Sequence, residues 1–237
     1  MEQLFDEQLR EIGLSLDEKQ KKSFKKYYEM LIQWNKVMNL TGITDYDEVN
    51  LKHFVDSLSI IRILDMQSVD TLIDVGTGAG FPGIPIKIVF PHIKVVLLDS
   101  LNKRINFLNE VIKELGLDNI SAVHGRAEDY AKKEEYREQF DLCVSRAVAN
   151  LSTLSEYCLP FVRIGGAFIS YKGLDCEHEI VNSKNAVEIL GGNVDNVDKF
   201  LLPKSDIGRA LINVRKINKT PEKYPRKSGL PSKEPIV

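Results

Sequence analysis

Cysteine is scarce in this sequence: Cys143, Cys158 and Cys176 lie far apart and form no CxxC pair. That spacing excludes a disulfide framework and a zinc knuckle. The four histidines, His53, His92, His124 and His178, are as dispersed. Cys176 and His178 stand two apart but lack further partners, so no metal is expected. No apolar run approaches the ~18 residues of a membrane span, so no membrane partner is expected either. The opening Met1-Glu-Gln-Leu-Phe-Asp6 carries acids and no apolar stretch of a signal peptide, which makes the cytoplasm the expected location. A long exposed apolar stripe is missing too, and the expectation is a monomer.

What is present is an ordinary globular composition: 237 residues, 43% hydrophobic and 28% charged, with a net charge of −2. This suits one α/β domain with an appended element. The near-neutral total conceals two basic islands. Lys19, Lys21, Lys22, Lys25 and Lys26 form the first, for which a solvated face and an anion contact both stay open. Arg215, Lys216, Lys219, Lys223, Arg226, Lys227 and Lys233 form the second, with Glu222 the only acid in the run, and point to a local anionic partner.

Residues 1–68 read as a helical extension. Ser15 to Glu18 fits a capping box. Phe24, Tyr27, Leu31, Trp34 and Met38 then follow at helical spacing until Asn39-Leu-Thr-Gly42 breaks the pattern. A second helix is expected from about Asp45 to Leu64. From residue 69 to 217 strands alternate with helices. Strands are expected at 71–75, 93–98, 120–123, 140–145, 166–171, 194–201 and 210–217. Helices should fill 82–90, 101–115, a segment before Pro160, and 177–190. Such alternation builds a mostly parallel sheet covered on both faces, here seven-stranded and Rossmann-like with a terminal antiparallel pair. Residues 218–237 form a Pro- and Lys-rich tail without apolar period, expected to be a loop or a segment ordered on a partner.

The strongest chemical signal is Asp74-Val-Gly-Thr-Gly-Ala-Gly80 followed by Phe81-Pro-Gly83, lying between a strand and a helix. Glycines there let the chain turn sharply and bring backbone amides against a ligand. The dinucleotide fingerprint GxGxxG fails, because Phe81 stands where its third glycine belongs. The spacing Gly76-x-Gly78-x-Gly80 behind Asp74 resembles instead the AdoMet loop of class I methyltransferases, with the acid suited to a cationic sulfonium and ammonium. Asp99 ends the second strand 19 residues after Gly80, where a carboxylate can accept both ribose hydroxyls, and Ser100 follows it. Arg126-Ala-Glu128-Asp129 follows the third strand, where Ala127 and Glu128 border the adenine. Ser145-Arg146-Ala147 ends the fourth strand and Tyr171-Lys172-Gly173 the fifth. Both ends place cations at the ligand rim.

Taken with Asn39-Leu-Thr41, His53 to Asp56-Ser-Leu58, Asp74 to Pro85, Leu98-Asp-Ser100 with Lys103-Arg104, and Tyr224-Pro-Arg-Lys-Ser-Gly229, these residues resemble the glucose-inhibited division protein B family of bacterial 16S ribosomal RNA guanine-N7 methyltransferases. The resemblance spans residues 35–230. It implies that Gly76, Phe81, Ala127, Glu128 and Arg146 contact AdoMet and that the partner is 16S rRNA or the small ribosomal subunit. Arg146 and Lys172 are the expected catalytic residues. Lys103, Arg104, Arg126, Arg209, Tyr224, Arg226 and Lys227 are the expected RNA contacts. The alternatives are a methyltransferase acting on another RNA, a protein or a small molecule, and a non-catalytic RNA-binding protein. The absence of an Asn-Pro-Pro run argues against methylation of an exocyclic or side-chain amide nitrogen.

Overall fold

In the computed structural model, which describes residues 2–146 and 149–236, the chain opens with two helices, α1 (Glu2–Glu11) and α2 (Glu18–Met38). The capping box sits two residues beyond the one expected. Asp17 accepts from the Gln20 backbone N–H at 2.7 Å and Gln20 returns a bond to the Asp17 N–H. Gln20 wins this place because its amide nitrogen also reaches the carbonyls of Ile88 and Val89 at the end of a later helix. Asn39, in the left-handed region at φ 49°, ends α2. The next segment is continuous but not uniform. It begins as α3 (Tyr46–Val49), capped by Asp45, widens into a π turn (Asn50–Val55), returns to α4 (Asp56–Leu58) and tightens into a 3-10 turn (Ser59–Arg62).

Seven strands follow: β1 (Thr71–Val75), β2 (Lys94–Asp99), β3 (Ile120–His124), β4 (Phe140–Arg146), β5 (Val162–Lys172), β6 (Gly192–Leu201) and β7 (Gly208–Lys216). The intervening helices are α5 (Gly83–Val89), α6 (Asn102–Leu115), α7 (Ala127–Tyr130), α8 (Leu151–Cys158) and α9 (Glu177–Ile189), and α10 (Leu230–Lys233) comes after the sheet. The strand order is β3-β2-β1-β4-β5-β7-β6, parallel from β3 to β5 and antiparallel through β7 and β6. This is the seven-stranded Rossmann-like sheet that the alternating pattern predicts.

Period-two alternation divides each strand between two cores. Leu72, Leu97, Leu142 and Ile169 face one cluster, which also takes in Phe5, Phe24, Tyr27 and Phe54 of the N-terminal helices. Ile73, Val96, Cys143 and Phe168 face the other, with Leu151 and Leu154 of α8. The N-terminal helices therefore bury their apolar stripe in the core on one face of the sheet, α2 packing against α5 and α6 and α1 against the π turn. Among the described residues no helix is long and apolar enough to cross a membrane.

The segment after β7 is tied to the body along its length. Arg137 donates to the carbonyls of Thr220, Pro221 and Tyr224. Arg226 grips Glu156 of α8 through its guanidinium and its own backbone N–H, the last at 2.7 Å. Thr153 and Ser152 of α8 donate to the carbonyls of Pro231 and Ile236. The expected loose tail is thus a strap across α8. Its bonds come from residues more than 60 positions upstream, beyond the reach of any local pattern.

Candidate active site

At the carboxyl ends of β1, β2, β3 and β4 lies a cleft of about 500 Å³. Ligand crevices of open α/β sheets form at this edge. Of the predicted residues, Gly76, Gly78, Phe81, Asp99, Ser100, Arg104, Arg126, Ala127, Glu128 and Arg146 line it, together with Leu40, Thr41, His53, Thr77 and Tyr157. Asp74, Gly80, Lys103, Lys172, Arg209, Tyr224, Arg226 and Lys227 are not among the lining residues.

The glycine loop leaves β1 with Gly76 and Gly78 at φ 72° and 63°, a conformation that L side chains avoid. The expectation for Asp74 is corrected by its burial. It is fully enclosed, and one carboxylate oxygen accepts from the Thr77 hydroxyl at 2.7 Å and the Gly83 N–H at 2.9 Å. It fastens the loop from beneath instead of facing a ligand cation. Its other oxygen has no partner, and burial pushes its pKa up to about 7. Gly80 serves packing: a Cβ there would stand 2.5 Å from Ile84 and 2.7 Å from the Tyr27 hydroxyl.

Asp99 is where the nucleoside reading is tested. Its Oδ2 accepts from the Gly78 N–H at 2.9 Å and from Arg104 at 3.2 Å, and its Oδ1 accepts from the Leu101 N–H at 2.9 Å. A carboxylate offers about four lone-pair sites. One stays open on Oδ1, enough for one ribose hydroxyl; the second requires Arg104 to yield. Arg104 is thereby a partner of Asp99 before it is any phosphate contact. Beyond it, Gly125 donates to the Asp99 carbonyl at 3.0 Å, and the chain turns into α7 with Ala127 and Glu128 on the cleft wall. The Glu128 carboxylate accepts from the Gly229 N–H at 2.8 Å, so the strap buttresses this end of the cleft. An acceptor lone pair on Asp99 beside backbone turns rich in N–H groups suits a nucleoside whose other end is a cationic amino acid, as AdoMet is.

The other end is built around Arg146, which closes β4. Its guanidinium donates to Asp56 at 2.7 Å and to the Lys52 carbonyl at 3.2 Å, approaches His53 Nδ1 at 3.3 Å, and lies 5.1 Å from the centre of the Phe81 ring. Asp56, nearly fully buried, takes Arg209 on its second oxygen at 3.0 Å. Arg209 is therefore a brace for Asp56, and the expected RNA contact at that residue is corrected. His53 stacks on Phe81 with ring centres 4.6 Å apart. Burial and the Arg146 charge hold the His53 pKa down to about 3, so its ring is neutral. The π turn carries His53 and Asp56 to this point. Such widened turns are frequent at functional sites because they re-aim side chains without ending the helix.

Three further expectations change. Lys172 donates to the Ala149 carbonyl at 2.7 Å and pairs with Glu179 at 2.6 Å, away from the cleft; Glu179 also accepts from the Leu151 N–H at the start of α8. It steadies the chain entering α8, which explains a half-buried lysine without a catalytic task. Arg226 is committed to Glu156, and Tyr224 packs against the core beside the Arg137 contact, so neither is a free RNA-facing group. Lys103 and Lys227 are exposed. Ala147 of the Ser145-Arg146-Ala147 motif lies outside the described residues. Sequence reasoning assigned no role to Thr41, His53 or Asp56, which entered only as family motifs, and passed over Tyr157 and Glu156. A buried acid one residue ahead of Tyr157 on an apolar helix is the signal that could have marked the last pair.

The family model GidB, described as rRNA small subunit methyltransferase G, matches residues 20–229. The protein "Ribosomal RNA small subunit methyltransferase G" of Desulforamulus reducens is 53% identical over 96% of this chain and 95% of its own. That of Acetivibrio thermocellus is 56% identical over 95% of this chain and 92% of its own. Among solved structures, a SAM dependent methyltransferase from Aquifex aeolicus superposes with a TM-score of 0.51 at 19% identity, covering 72% of this chain and 93% of that one. M. jannaschii TYW2, solved in complex with AdoMet, gives 0.53 at 15% identity over 68% of this chain and 75% of that one. The structural likenesses establish the fold alone. The sequence matches, running through nearly every residue that builds the cleft, settle the lineage: this chain belongs to the GidB family, rRNA small subunit methyltransferase G.

Proposed function

We propose that this chain transfers the methyl group of AdoMet to N7 of a guanine in 16S rRNA, acting as a cytoplasmic monomer on the rRNA or the small ribosomal subunit. The observation that carries this is the two-ended cleft. One end offers Asp99, Ala127 and Glu128 to a nucleoside, and the other offers Arg146, neutral His53 and Phe81. Held by Asp99 and the turn at Ala127–Glu128, AdoMet would supply an electrophilic methyl on its sulfonium, which the N7 lone pair would take as the S–C electron pair returned to sulfur.

N7 carries no proton, so no general base is required; the half-buried His53, its pKa held down to about 3, is a weak proton acceptor in any case. The chain's contribution is positioning, which holds reacting atoms at roughly 3–3.5 Å. A neutral imidazole also suits a product whose base becomes cationic. Arg146 spends two donors on Asp56 and the Lys52 carbonyl, and a guanidinium has five. Its remaining donors suit the methionine carboxylate of AdoMet or an RNA phosphate. Lys103, Arg126 and Lys227 are the cations left for phosphates, whose contacts supply salt-dependent affinity.

The test is incubation with AdoMet and unmethylated small subunits, followed by mapping of N7-methylguanine by reductive strand scission; no scission at any guanine refutes the proposal. Arg146→Ala should lower single-turnover methyl transfer by about 100-fold or more, and an unchanged rate would remove Arg146 from the chemistry.

A further inference from the structure

The carboxylate that ends β2 has more claimants than lone pairs. Asp99 is nearly fully buried, with the Gly78 N–H and Arg104 on Oδ2 and the Leu101 N–H on Oδ1. A carboxylate has about four acceptor sites. Two ribose hydroxyls would raise the donors to five. Arg104 is the one that can leave. Its bond, at 3.2 Å, is longer than the 2.9 Å of either backbone amide, and its side chain is 35% exposed on the cleft wall. Without it the carboxylate still has a full set, two amides and two hydroxyls, so its burial stays compensated.

The displaced guanidinium has no second acceptor. Among the described residues Asp99 is the only hydrogen-bond and ion-pair partner of the Arg104 side chain. Arg126, exposed and lining the same cleft, has no carboxylate partner there either. We infer that Arg104 couples the two substrates: AdoMet displaces it from Asp99, and it then takes a phosphate of the RNA. Before the nucleoside arrives, the ion pair neutralises this cation, and the chain meets RNA with one phosphate contact fewer. The coupling is reciprocal, so the factor that AdoMet adds to RNA affinity is the factor that RNA adds to AdoMet affinity. This inference rests on the AdoMet and 16S rRNA reading and adds to it the residue through which one substrate senses the other.

The probe is S-adenosylhomocysteine, which keeps the ribose, carries no net charge and has no methyl to transfer. Binding of unmethylated small subunits is measured at fixed magnesium and several salt concentrations, with and without saturating nucleoside. The nucleoside should tighten binding by about 5-fold or more. It should also steepen the slope of log K against log salt by about 0.7 to 0.9 unit, the share of one phosphate contact. Arg104→Ala should show one slope under both conditions, and by calorimetry should bind S-adenosylhomocysteine alone no more weakly than wild type. Equal slopes in the wild-type chain overturn the inference without any variant. So does coupling that survives in Arg104→Ala. Weaker nucleoside binding by Arg104→Ala overturns it as well, by making Arg104 a prop for Asp99 or a contact to the cofactor. A wild-type chain that binds no nucleoside, or no subunit, sinks the underlying reading and the inference with it.

Discussion

Replacing Arg226 by Ala separates a strap from an RNA-binding arm. Glu156 is 1% exposed and receives four bonds from Arg226, three from the guanidinium and one from the backbone N–H. Removing one partner of a buried pair leaves an uncompensated charge and costs about 3–5 kcal/mol. The backbone donor of residue 226 persists in the variant and Arg226 itself is 23% exposed, so the lower end, ~3 kcal/mol, is expected. The free-energy loss should appear as a lower urea midpoint at unchanged slope. The paired change Arg226→Met with Glu156→Leu should recover most of it, since well-packed apolar replacements of a buried pair are often neutral. RNA affinity supplies the opposing outcome. A phosphate contact at Arg226 would contribute about one unit to the slope of log K against log salt. A variant that keeps its urea midpoint but loses that unit would refute the strap and restore the arm.

Two further perturbations follow from the cleft. His53 has a native pKa of about 3 against 6.5 in the unfolded chain, so the unfolded state binds the extra proton and stability falls as pH drops below about 6.5. The His53 C2–H resonance should not titrate between pH 7 and 4.5, and a titration near 6 would contradict its burial against Phe81 and Arg146. Gly80→Ala should destabilise the fold by about 2 kcal/mol or more, because its Cβ meets Ile84 and Tyr27 at a φ of 99°. Gly78→Ala, whose Cβ has only the Gly76 carbonyl at 4.0 Å, should cost about 1 kcal/mol from its φ of 63° alone. Thermal unfolding of the two variants gives the ranking, and the reverse order would refute the packing role of Gly80.

Much of the sheet was readable from period alone. Thr71 to Val75 and Lys94 to Asp99 are apolar runs closed by glycine or acid, so both fell within a residue of their observed bounds. Local chemistry misled where two solutions lay close together. Ser15 and Asp17 both precede acceptable N-terminal turns, and the choice went to Asp17 because Gln20 also reaches Ile88 and Val89. The π turn at Asn50–Val55 carries no signature, since an inserted residue leaves the apolar spacing nearly helical. Charges were the least legible. A sequence gives their sign but not their partners, and Arg226–Glu156, Arg209–Asp56 and Lys172–Glu179 join residues 70, 153 and 7 positions apart. Cations that look available along the chain are consumed in the fold, and Asp74, which looks like a ligand, is a fastener.

The bond from Gly229 to Glu128 joins positions 101 residues apart. During synthesis the turn at Ala127–Glu128 leaves the ribosome long before the residue that buttresses it. A nascent chain can thus complete the parallel half of its sheet while the Ala127–Glu128 end of the cleft still lacks one wall. That wall is complete only after β7 has paired and the strap has crossed α8, when nearly the whole chain has been translated.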